Sequence, residues 1–319
     1  MRILVTGGSG YIGTHFAEEA LSRNHLIISV DRRHSTFSNP NFIQVEGDIC
    51  EDGLLESVGC DFPVDAVVHL AAEKSISSSS NNKSEFYRTN VLGTEKVLDF
   101  IELKNIENFI FASSAAIYGN TTEIGKIEED FPPNPSNYYG ETKLLNEMQI
   151  YDKFSQLKYG ATIFRLFNIA GSSESYVPKT FDSNILPQLF KSLAEKLQFN
   201  LYGDNFPTAD GSCVRDYVHV SDVARIFLST LENPKILQNV ELFNLATGVG
   251  TSNLELIELV EAVCQQDIAI QIQPAREEDS SYSVGSNHRL ITEYDRYQFK
   301  GIQEIVDSAW RSHSKMLGI

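Results

Sequence analysis

Cysteine and basic side chains are scarce in this sequence of 319 residues. The four cysteines, Cys50, Cys60, Cys213 and Cys264, are widely scattered, and no CxxC pair or Cys/His ligand spacing joins them. We therefore expect neither a disulfide framework nor a zinc site, and we predict no metal site. The net charge of −17 argues against nucleic acid or an anionic membrane as the main partner, because both would repel the chain.

Long apolar runs are also missing. No segment approaches the ~18 apolar residues of a membrane-spanning helix. Met1 leads directly into the apolar run 3–5, which leaves no room for a signal peptide. The resulting expectation is a cytoplasmic protein.

Short apolar segments alternate with helical patterns through the first half of the chain. The segments typical of buried parallel strands are 2–5, 26–30, 42–45, 66–70, 109–112 and 161–164. Helices are predicted between them over 12–22, 85–103 and 139–158. This alternation predicts an α/β fold, a Rossmann-type doubly wound parallel sheet with right-handed crossovers.

The alternation ends after Gly171, where proline, glycine and aspartate punctuate the chain. We predict a dinucleotide-binding domain over 1–170, to which 215–245 returns, and a smaller C-terminal α/β domain over 171–319. Helices are expected near 185–195, 222–231 and 254–264. The serine-rich segment 77–80 and the polar residues 81–83 after it predict an exposed loop.

Three glycines, Gly7, Gly10 and Gly13, follow the first predicted strand and precede a helix. In that context glycines permit a tight turn and a close backbone approach to a pyrophosphate at the positive end of the helix. The alternative interpretation is a turn that only packs strand against helix. Asp31, 18 residues after Gly13, can accept hydrogen bonds from an adenosine ribose and favours NAD.

Other polar residues near the predicted strand ends allow two interpretations each. Arg32 and Arg33 could hold the extra phosphate of NADP. Asp48 could hold an adenine amino group or cap the segment 50–51. Lys74 follows the fourth strand, where ligands bind in such sheets, but it could also be a solvated charge. His69, inside that strand, is interpreted as a core histidine.

Tyr139 and Lys143 stand four apart in NPSNYYGETK, a spacing that puts both on one face of a helix. A free phenol has a pKa near ~10. A nearby ammonium and the positive nicotinamide ring of NAD⁺ would favour the phenolate and lower that pKa. Ser114 ends the strand before this helix and can share a hydrogen bond to a reacting hydroxyl. The combination predicts a nicotinamide-dependent enzyme that acts on a hydroxyl.

These motifs together resemble the extended short-chain dehydrogenase/reductase family, and more specifically its UDP-galactose (UDP-hexose) 4-epimerases. The segment LYGDNFPTADGSCVRDYVHVSDVA at 201–224 is close to a signature of those epimerases. LFNLATGVGTSNLELI at 242–257, FRLFNIAG at 164–171 and NVLGT at 90–94 fit as well. The resemblance runs nearly the full length of the chain.

The resemblance implies a set of site residues. The catalytic trio would be Ser114, Tyr139 and Lys143. The NAD contacts would be Gly7, Gly10, Tyr11, Ile12, Gly13, Asp31, Asp48, Ile49, Leu70, Ala71, Lys74, Thr89, Ser114, Tyr139, Lys143 and Phe167. The UDP-sugar contacts would be Ser114, Tyr139, Asn168, Asn184, Arg215, Arg276 and Asp279, with the arginines suited to a phosphate or, alternatively, to surface ion pairs.

Two departures from the family pattern bear on the sugar site. The chain has Arg276-Glu277-Glu278-Asp279 where relatives carry a glycine before the aspartate, so a glycine turn is not expected. Four residues past Asp279, where a bulky tyrosine narrows the family's sugar pocket, the chain has Ser283. A small residue there would admit an N-acetyl group, but an alignment shifted by one would place Tyr282 there instead.

The resemblance implies reversible 4-epimerisation of a UDP-hexose through a 4-keto intermediate, in a homodimer whose helices near 90–103 and 139–154 pair with a second copy. Core packing within one subunit is the alternative explanation for the apolar spacing of these helices. A 4,6-dehydratase is not expected, because Ala115 and Ala116 after Ser114 cannot carry a proton. The alternatives are a nucleotide-sugar dehydrogenase or 4-ketoreductase and a non-catalytic dinucleotide-binding sensor.

Overall fold

The computed structural model describes residues 1–35, 37, 39–74, 82–121, 125–157, 159–233, 239–276 and 279–318. The chain divides into two units. The first unit comprises 1–119, 132–166 and 223–243, and the second comprises 120–131, 167–222 and 244–319. Compared with the predicted domains, 120–131 lies in the second unit and the returning segment is 223–243 rather than 215–245.

The central sheet of the first unit is built from strands that follow the predicted apolar segments closely. They are β1 Arg2–Thr6, β2 Leu26–Asp31, β3 Phe42–Glu46, β4 Ala66–His69, β5 Asn108–Ser114 and β7 Gly160–Leu166, joined by β11 Val240–Leu245. Their order is β11-β7-β5-β4-β1-β2-β3. The pairings β1–β2, β1–β4, β2–β3, β4–β5 and β5–β7 are parallel. The predicted doubly wound parallel sheet is confirmed, and its strand order reverses between β1 and β4, where such sheets bind ligands.

The helices of the first unit connect these strands. They are α1 Tyr11–Ser22, α2 Leu54–Asp61, α3 Lys83–Phe86, α4 Gly93–Lys104, α5 Tyr138–Leu157 and α7 Val220–Glu232, the last beginning in the second unit. A π-helix over Tyr87–Leu92 and a short 3₁₀ helix over Ala115–Tyr118 complete the set. The predicted helix over 85–103 is helical throughout, but the π-helix replaces the regular α-helix near its start. The predicted serine-rich loop lies outside the described residues, except for Asn82 and Lys83, and Lys83 begins α3.

The two faces of this sheet are covered by different helices. On one face, a buried cluster joins strand residues to α2, α4 and α5: Leu4, Val67, Phe109, Phe111, Ile163, Val58, Phe100, Ile101, Ile150 and Phe154. On the other, Phe227 of α7 lies 5.0 Å from Phe164 of β7 and 6.4 Å from Phe16 of α1, measured between ring centroids. This packing explains why the strands are apolar along their whole length.

The second unit contains two further sheets. β6 Lys126–Ile127, β8 Asn168–Ala170, β10 Val214–His219, β12 Gly250–Ser252 and β14 Tyr282–Gly285 form one sheet, with β10 paired to β8, β12 and β14. Strands β9 Phe199–Tyr202 and β13 Ile270–Gln273 form the other. The helices are α6 Ile185–Glu195, α8 Asn253–Cys264, α9 His288–Glu293 and α10 Ile302–Leu317. Because β10 pairs inside this sheet, 215–222 belongs to the second unit.

None of the helices in the described part of the chain combines the length and the apolar character that crossing a membrane requires.

Candidate active site

The glycine loop after β1 is so close to neighbouring backbone that side chains cannot be accommodated. Gly7 has φ 73°, and a Cβ there would lie 2.7 Å from the backbone nitrogen of Ala71. A Cβ on Gly13 would lie 2.5 Å from the carbonyl oxygen of Gly7. The N–H of Gly10 donates to the same oxygen over 3.0 Å, which closes the turn. The loop therefore packs strand against helix and also leaves backbone open to a ligand.

The N-terminus of α1 fits an anionic group. Within the described residues, no side chain caps the helix at Gly10 and no acidic residue lies in its first turn, which begins with Tyr11 and Ile12. The helix dipole and the exposed N–H groups favour a pyrophosphate at such a position. Ser9 Oγ, in the same loop, is buried without a hydrogen-bond partner among the described residues. These features fit the pyrophosphate of a dinucleotide.

Asp31 ends β2 as a buried and oriented carboxylate. Its oxygens accept the backbone N–H groups of Ser9 (3.0 Å) and Arg33 (2.9 Å). Arg32, which could have favoured NADP, pairs with Glu73 and also lies 3.5 Å from Glu85. These two carboxylates, which the sequence patterns did not single out, draw Arg32 into ion pairs within the protein.

Asp48 caps the segment 50–51, which was one of the two roles predicted for it. One carboxylate oxygen accepts the N–H of Cys50 at 2.9 Å, and the other pairs with the Arg88 guanidinium at 2.9 Å. Burial alone would raise the pKa of Asp48, but these partners lower it. Ile49, next in the chain, is buried. A carboxylate has further lone pairs, so the cap does not prevent contact with a ligand.

The end of β4 lies beside the glycine loop. His69 is buried and shares hydrogen bonds with Thr6 Oγ1 (2.6 Å) and Thr94 Oγ1 (2.9 Å), and burial lowers its pKa to about 3. This agrees with its interpretation as a core histidine. The backbone N–H of Leu70 donates to the Thr6 carbonyl oxygen, 3.0 Å away. The neighbouring Ala71 is the residue that approaches Gly7.

Two further predicted cofactor residues lie in the same unit. Lys74 is exposed, and the residues that follow it, 75–81, are not described. Thr89 is buried in the π-helix and donates from Oγ1 to Glu85 Oε1 over 3.3 Å. π-Helical segments occur often at functional sites.

Ser114 and Tyr139 are joined by a hydrogen bond at the end of β5. The Ala116 N–H donates to Ser114 Oγ over 3.1 Å, so the hydroxyl proton of Ser114 remains available for donation. Burial raises the pKa of Tyr139 to about 12, and the hydrogen bond with Ser114 acts in the opposite direction. The protein groups alone therefore do not lower the pKa of Tyr139 as the sequence predicted. The removal of water from the phenol raises this pKa by more than the hydrogen bond with Ser114 lowers it.

Lys143 is buried one helical turn after Tyr139. Its Nζ donates to the Ala112 carbonyl oxygen at 2.8 Å and lies 5.9 Å from the centroid of the Tyr139 ring. Burial lowers the pKa of Lys143 to about 7, and the negative charge of Glu147 opposes that shift. The structure thus places the serine, the tyrosine and the lysine together, in the unit that carries the glycine loop.

The sequence motifs did not indicate the charged cluster that lies next to this trio. Glu147 forms a buried ion pair with Arg165 at 2.8 Å. Ser113 and Tyr118 hydrogen-bond to its two members. One sequence signal could have pointed to it, since Glu147 stands four residues after Lys143 and therefore shares its face of α5.

Apart from Ser114 and Tyr139, the predicted UDP-sugar residues lie in the second unit. Asn168 begins β8, Asn184 is the N-cap residue of α6, and both are exposed. Arg215 Nη1 donates to the carbonyl oxygens of Val214 (3.0 Å) and Ser280 (2.7 Å). Phe167, predicted to contact the cofactor, is also in this unit and is buried.

Arg276 and Asp279 stay close to each other although no glycine lies between them. The Asp279 N–H donates to the Arg276 carbonyl oxygen over 3.2 Å. The Arg276 guanidinium lies over the Tyr202 ring, 3.6 Å from its centroid. Arg276 and Asp279 are therefore joined through their backbones in this chain.

Strand register distinguishes Ser283 from Tyr282, the two candidates for the position at which a bulky side chain would narrow the sugar pocket. In the parallel pair β10–β14, Arg215 is opposite Ser283 and Val214 is opposite Tyr282. Side chains alternate between faces along a strand, so Ser283 shares the face of Arg215 and Tyr282 points to the other. A Cβ on Gly250 would lie 2.6 Å from Val214 Cγ1 and 3.6 Å from the Tyr282 hydroxyl, which agrees with this division.

The model of the NAD dependent epimerase/dehydratase family matches residues 3–246. The chain belongs to this family. A UDP-glucose 4-epimerase from Lactobacillus helveticus is 32% identical, over 98% of this chain and 97% of that protein. One from Halalkalibacterium halodurans is also 32% identical, over 99% and 96% of the two chains.

Solved structures agree with this assignment. A UDP-glucose 4-epimerase from Bifidobacterium longum, in complex with NAD⁺ and UDP, superposes with a TM-score of 0.90 at 29% identity, over 99% of this chain and 98% of that one. The enzyme from Stenotrophomonas maltophila, with bound NAD and formylated UDP-arabinopyranose, gives 0.91 at 27% identity, over 100% and 99%. The predicted resemblance to UDP-hexose 4-epimerases is confirmed.

Proposed function

We propose that this chain is an NAD-dependent UDP-glucose 4-epimerase that interconverts UDP-glucose and UDP-galactose through a 4-keto sugar. The observation that carries the proposal is the grouping of Ser114, Tyr139 and Lys143 in the unit with the glycine loop. Full-length similarity to proteins named UDP-glucose 4-epimerase supports the choice of sugar nucleotide.

The cofactor would be held mainly by residues of the first unit. The glycine loop and the start of α1 suit the pyrophosphate, and Asp31 suits the adenosine ribose. We assign the remaining contacts to Asp48, Ile49, Leu70, Ala71, Lys74, Thr89 and Phe167. When bound, NAD⁺ supplies a reversible acceptor for the hydride of the sugar's carbon 4.

Three side chains of the protein would handle the proton and the orientation of the sugar. Tyr139 Oη takes the proton of the 4-hydroxyl and later returns it, and the Ser114 hydroxyl bridges between them. Because burial raises the pKa of Tyr139 to about 12, its phenolate needs positive charge nearby. Lys143 supplies an ammonium on the same helix face, and it anchors the nicotinamide ribose.

The second unit would hold the sugar nucleotide. Arginine forms forked, charge-assisted hydrogen bonds with phosphate, so Arg215 and Arg276 suit the diphosphate. We assign Asn168, Asn184 and Asp279 to the remaining contacts. Ser283 shares the face of Arg215. A small side chain there leaves room for a 2-N-acetyl group, so we include the N-acetylated UDP-hexoses as substrates.

The direct test is an assay of the purified, NAD-loaded protein with UDP-glucose and with UDP-galactose, without an added electron acceptor. We expect each sugar to be converted into the other until the same mixture is reached from both directions. In a parallel assay with free NAD⁺, net NADH formation in proportion to the sugar consumed would instead indicate a dehydrogenase, and net NADH consumption with a 4-keto sugar nucleotide would indicate a ketoreductase. Absence of any interconversion, with the N-acetylated sugars included, would refute the proposal.

We also propose a homodimer in the cytoplasm. Large apolar side chains are exposed on α4 and α5, among them Leu103 (59%) and Met148 (61%). Lys153 pairs with Asp99 at 2.9 Å and with Glu102 at 2.7 Å, so the two helices form one surface. A second copy of the chain would bury these residues. An exposed apolar surface of this kind marks an interaction site.

A further inference from the structure

A buried ion pair lies beside the catalytic trio. Arg165 on β7 meets Glu147 on α5 in a forked pair, with Nη2–Oε2 at 2.8 Å and Nε–Oε1 at 3.1 Å. The two side chains are only 5% and 3% exposed. Removing two charges from water costs several kcal/mol per ion, so such a pair is weak support for stability. A functional reason for it is therefore worth seeking.

Neighbouring groups hold the pair in one orientation. Ser113 Oγ donates to Glu147 Oε1 at 2.5 Å, and Arg165 Nη1 donates to the Tyr118 hydroxyl at 2.9 Å. Ser113 precedes Ser114 on β5, and Ala112 of the same strand accepts the Lys143 hydrogen bond. The elements that carry the catalytic groups therefore also hold the Glu147 carboxylate.

Glu147 is also the acidic group that acts on Lys143. The two residues stand four apart on α5 and share a face. Among the described residues, Tyr139 on α5 and His69 on β4 also lie near the lysine. Arg165 on β7 contacts the Glu147 carboxylate and the Tyr118 hydroxyl. Burial keeps His69 neutral, since it lowers its pKa to about 3. The aromatic ring of Phe111, 4.7 Å from Nζ, and the Ala112 carbonyl add only partial charges.

We propose that Glu147, fixed in place by Arg165, is a positioning residue that increases the fraction of Lys143 present as the ammonium during the reaction. The proposal rests on the proposed function, because that function requires a charged lysine beside Tyr139. Even with the opposing charge of Glu147, burial lowers the pKa of Lys143 to about 7, so loss of that charge would leave the lysine largely neutral at physiological pH. A neutral lysine would neither favour the phenolate nor hold a ribose hydroxyl as firmly.

The test compares Glu147→Gln with the parent protein across pH. Activity that needs the ammonium is lost as pH rises through the pKa of Lys143, and removing the carboxylate lowers that pKa. We expect the alkaline limb of the kcat profile to move to lower pH by roughly one unit. The KM for UDP-glucose should change less than about twofold at pH 6. Glu147→Asp, which keeps the charge, should restore most of the parent profile.

Glu141→Gln is the matched control, because Glu141 is an exposed glutamate on the same helix. It should leave the pH profile unchanged. A loss of kcat by the same factor at every pH in Glu147→Gln would mean a merely structural role and would overturn the proposal. If Glu147→Gln does not fold, Arg165→Gln tests the same electrostatics from the other member of the pair. Loss of the guanidinium leaves the field of the Glu147 carboxylate on Lys143 uncompensated, so the alkaline limb should move to higher pH, and an unchanged limb would overturn the proposal.

A second measurement separates this proposal from the proposed function. The protonation of Lys143 can be followed by NMR in protein labelled with ¹³Cε-lysine, with Lys143→Arg identifying the signal. The pKa should be lower in Glu147→Gln than in the parent, even if the parent shows no epimerase activity. An unchanged Lys143 titration would refute the positioning role whatever the enzyme does.

Discussion

Arg215 and Ser283 lie opposite each other on the parallel strands β10 and β14. They are 68 positions apart along the chain, yet they share one face of the sheet, while Tyr282 points to the other face. The residue beside a proposed phosphate-binding arginine is thus small. This pairing leads directly to a prediction about the sugar.

Replacing Ser283 with tyrosine should narrow the sugar pocket. We expect kcat/KM for UDP-N-acetylglucosamine to fall by at least ~10-fold, because the added ring occupies the space of the N-acetyl group. The kcat/KM for UDP-glucose should change by about twofold. Tyr282→Phe, on the opposite face, is the control and should leave the ratio of the two values unchanged. Equal losses for both sugars in Ser283→Tyr would contradict this assignment.

Replacing Tyr139 with phenylalanine should lower kcat by ~10²–10⁴-fold, the usual contribution of a general acid–base group. The fold and the bound NAD should remain, since only one hydroxyl is removed. A turnover assay measures the loss of kcat, and the absorbance of the bound cofactor shows whether NAD is retained. Tyr138→Phe, the adjacent tyrosine, serves as the control and should keep its activity. In a non-catalytic dinucleotide sensor, neither Tyr139→Phe nor Tyr138→Phe would change the function of the protein.

Freeing Arg32 should weaken the preference for NAD. In the parent protein Arg32 pairs with Glu73 and approaches Glu85 at 3.5 Å. In the double variant Glu73→Gln/Glu85→Gln, the arginine becomes available to a 2′-phosphate. We expect the ratio of the Kd for NADP to the Kd for NAD to fall by about fivefold, as exposed ion pairs are worth at most about 1 kcal/mol.

Calorimetry on cofactor-free protein measures these two dissociation constants. Glu102→Gln breaks a different salt bridge, the one with Lys153, and should leave the ratio as in the parent. A double variant that discriminates as strongly as the parent would show that Asp31 alone sets the preference.

The buried His69 should make stability depend on pH. Its pKa is about 3 in the folded protein, whereas its ordinary value is 6.5, so the unfolded chain binds more protons between these values. The free energy of unfolding therefore falls as pH drops below 6.5, by up to ~1.4 kcal/mol per unit from this group. When the free energy of unfolding is measured in urea at several pH values, it should fall less steeply between pH 6.5 and 4.5 in His69→Gln than in the parent. The same change at exposed His288 should leave the slope as it was.

A charge on the exposed face of α5 should break the proposed dimer. Met148→Asp would place a carboxylate in the apolar contact, at a desolvation cost that disfavours association. Light scattering should report half the parent mass, with NAD retained. Leu197→Asp alters an equally exposed leucine (54%) in the second unit and should keep the parent mass. A parent protein that is already a monomer would refute the dimer.

The sequence patterns predicted the central sheet well, because buried parallel strands are apolar along their length. The strands predicted at 26–30 and 161–164 became Leu26–Asp31 and Gly160–Leu166. The π-helix over Tyr87–Leu92 escaped prediction, since its residues keep the apolar spacing of an ordinary helix. The short strands of the second unit also escaped, because their pairings join segments far apart in sequence.

The sequence by itself determined the features that depend on neighbours a few residues away: the glycine loop, the alternation of strand and helix, and the shared face of Tyr139 and Lys143. Tertiary structure alone decided the electrostatics. Glu147 meets Arg165 across 18 positions and Arg32 meets Glu73 across 41. The pKa of Tyr139 follows from burial and from Ser114 on another element, and that of Lys143 follows from burial and from Glu147 on its own helix. Local spacing indicates Glu147, but it encodes neither the burial nor the long-range pair that fixes the Glu147 carboxylate.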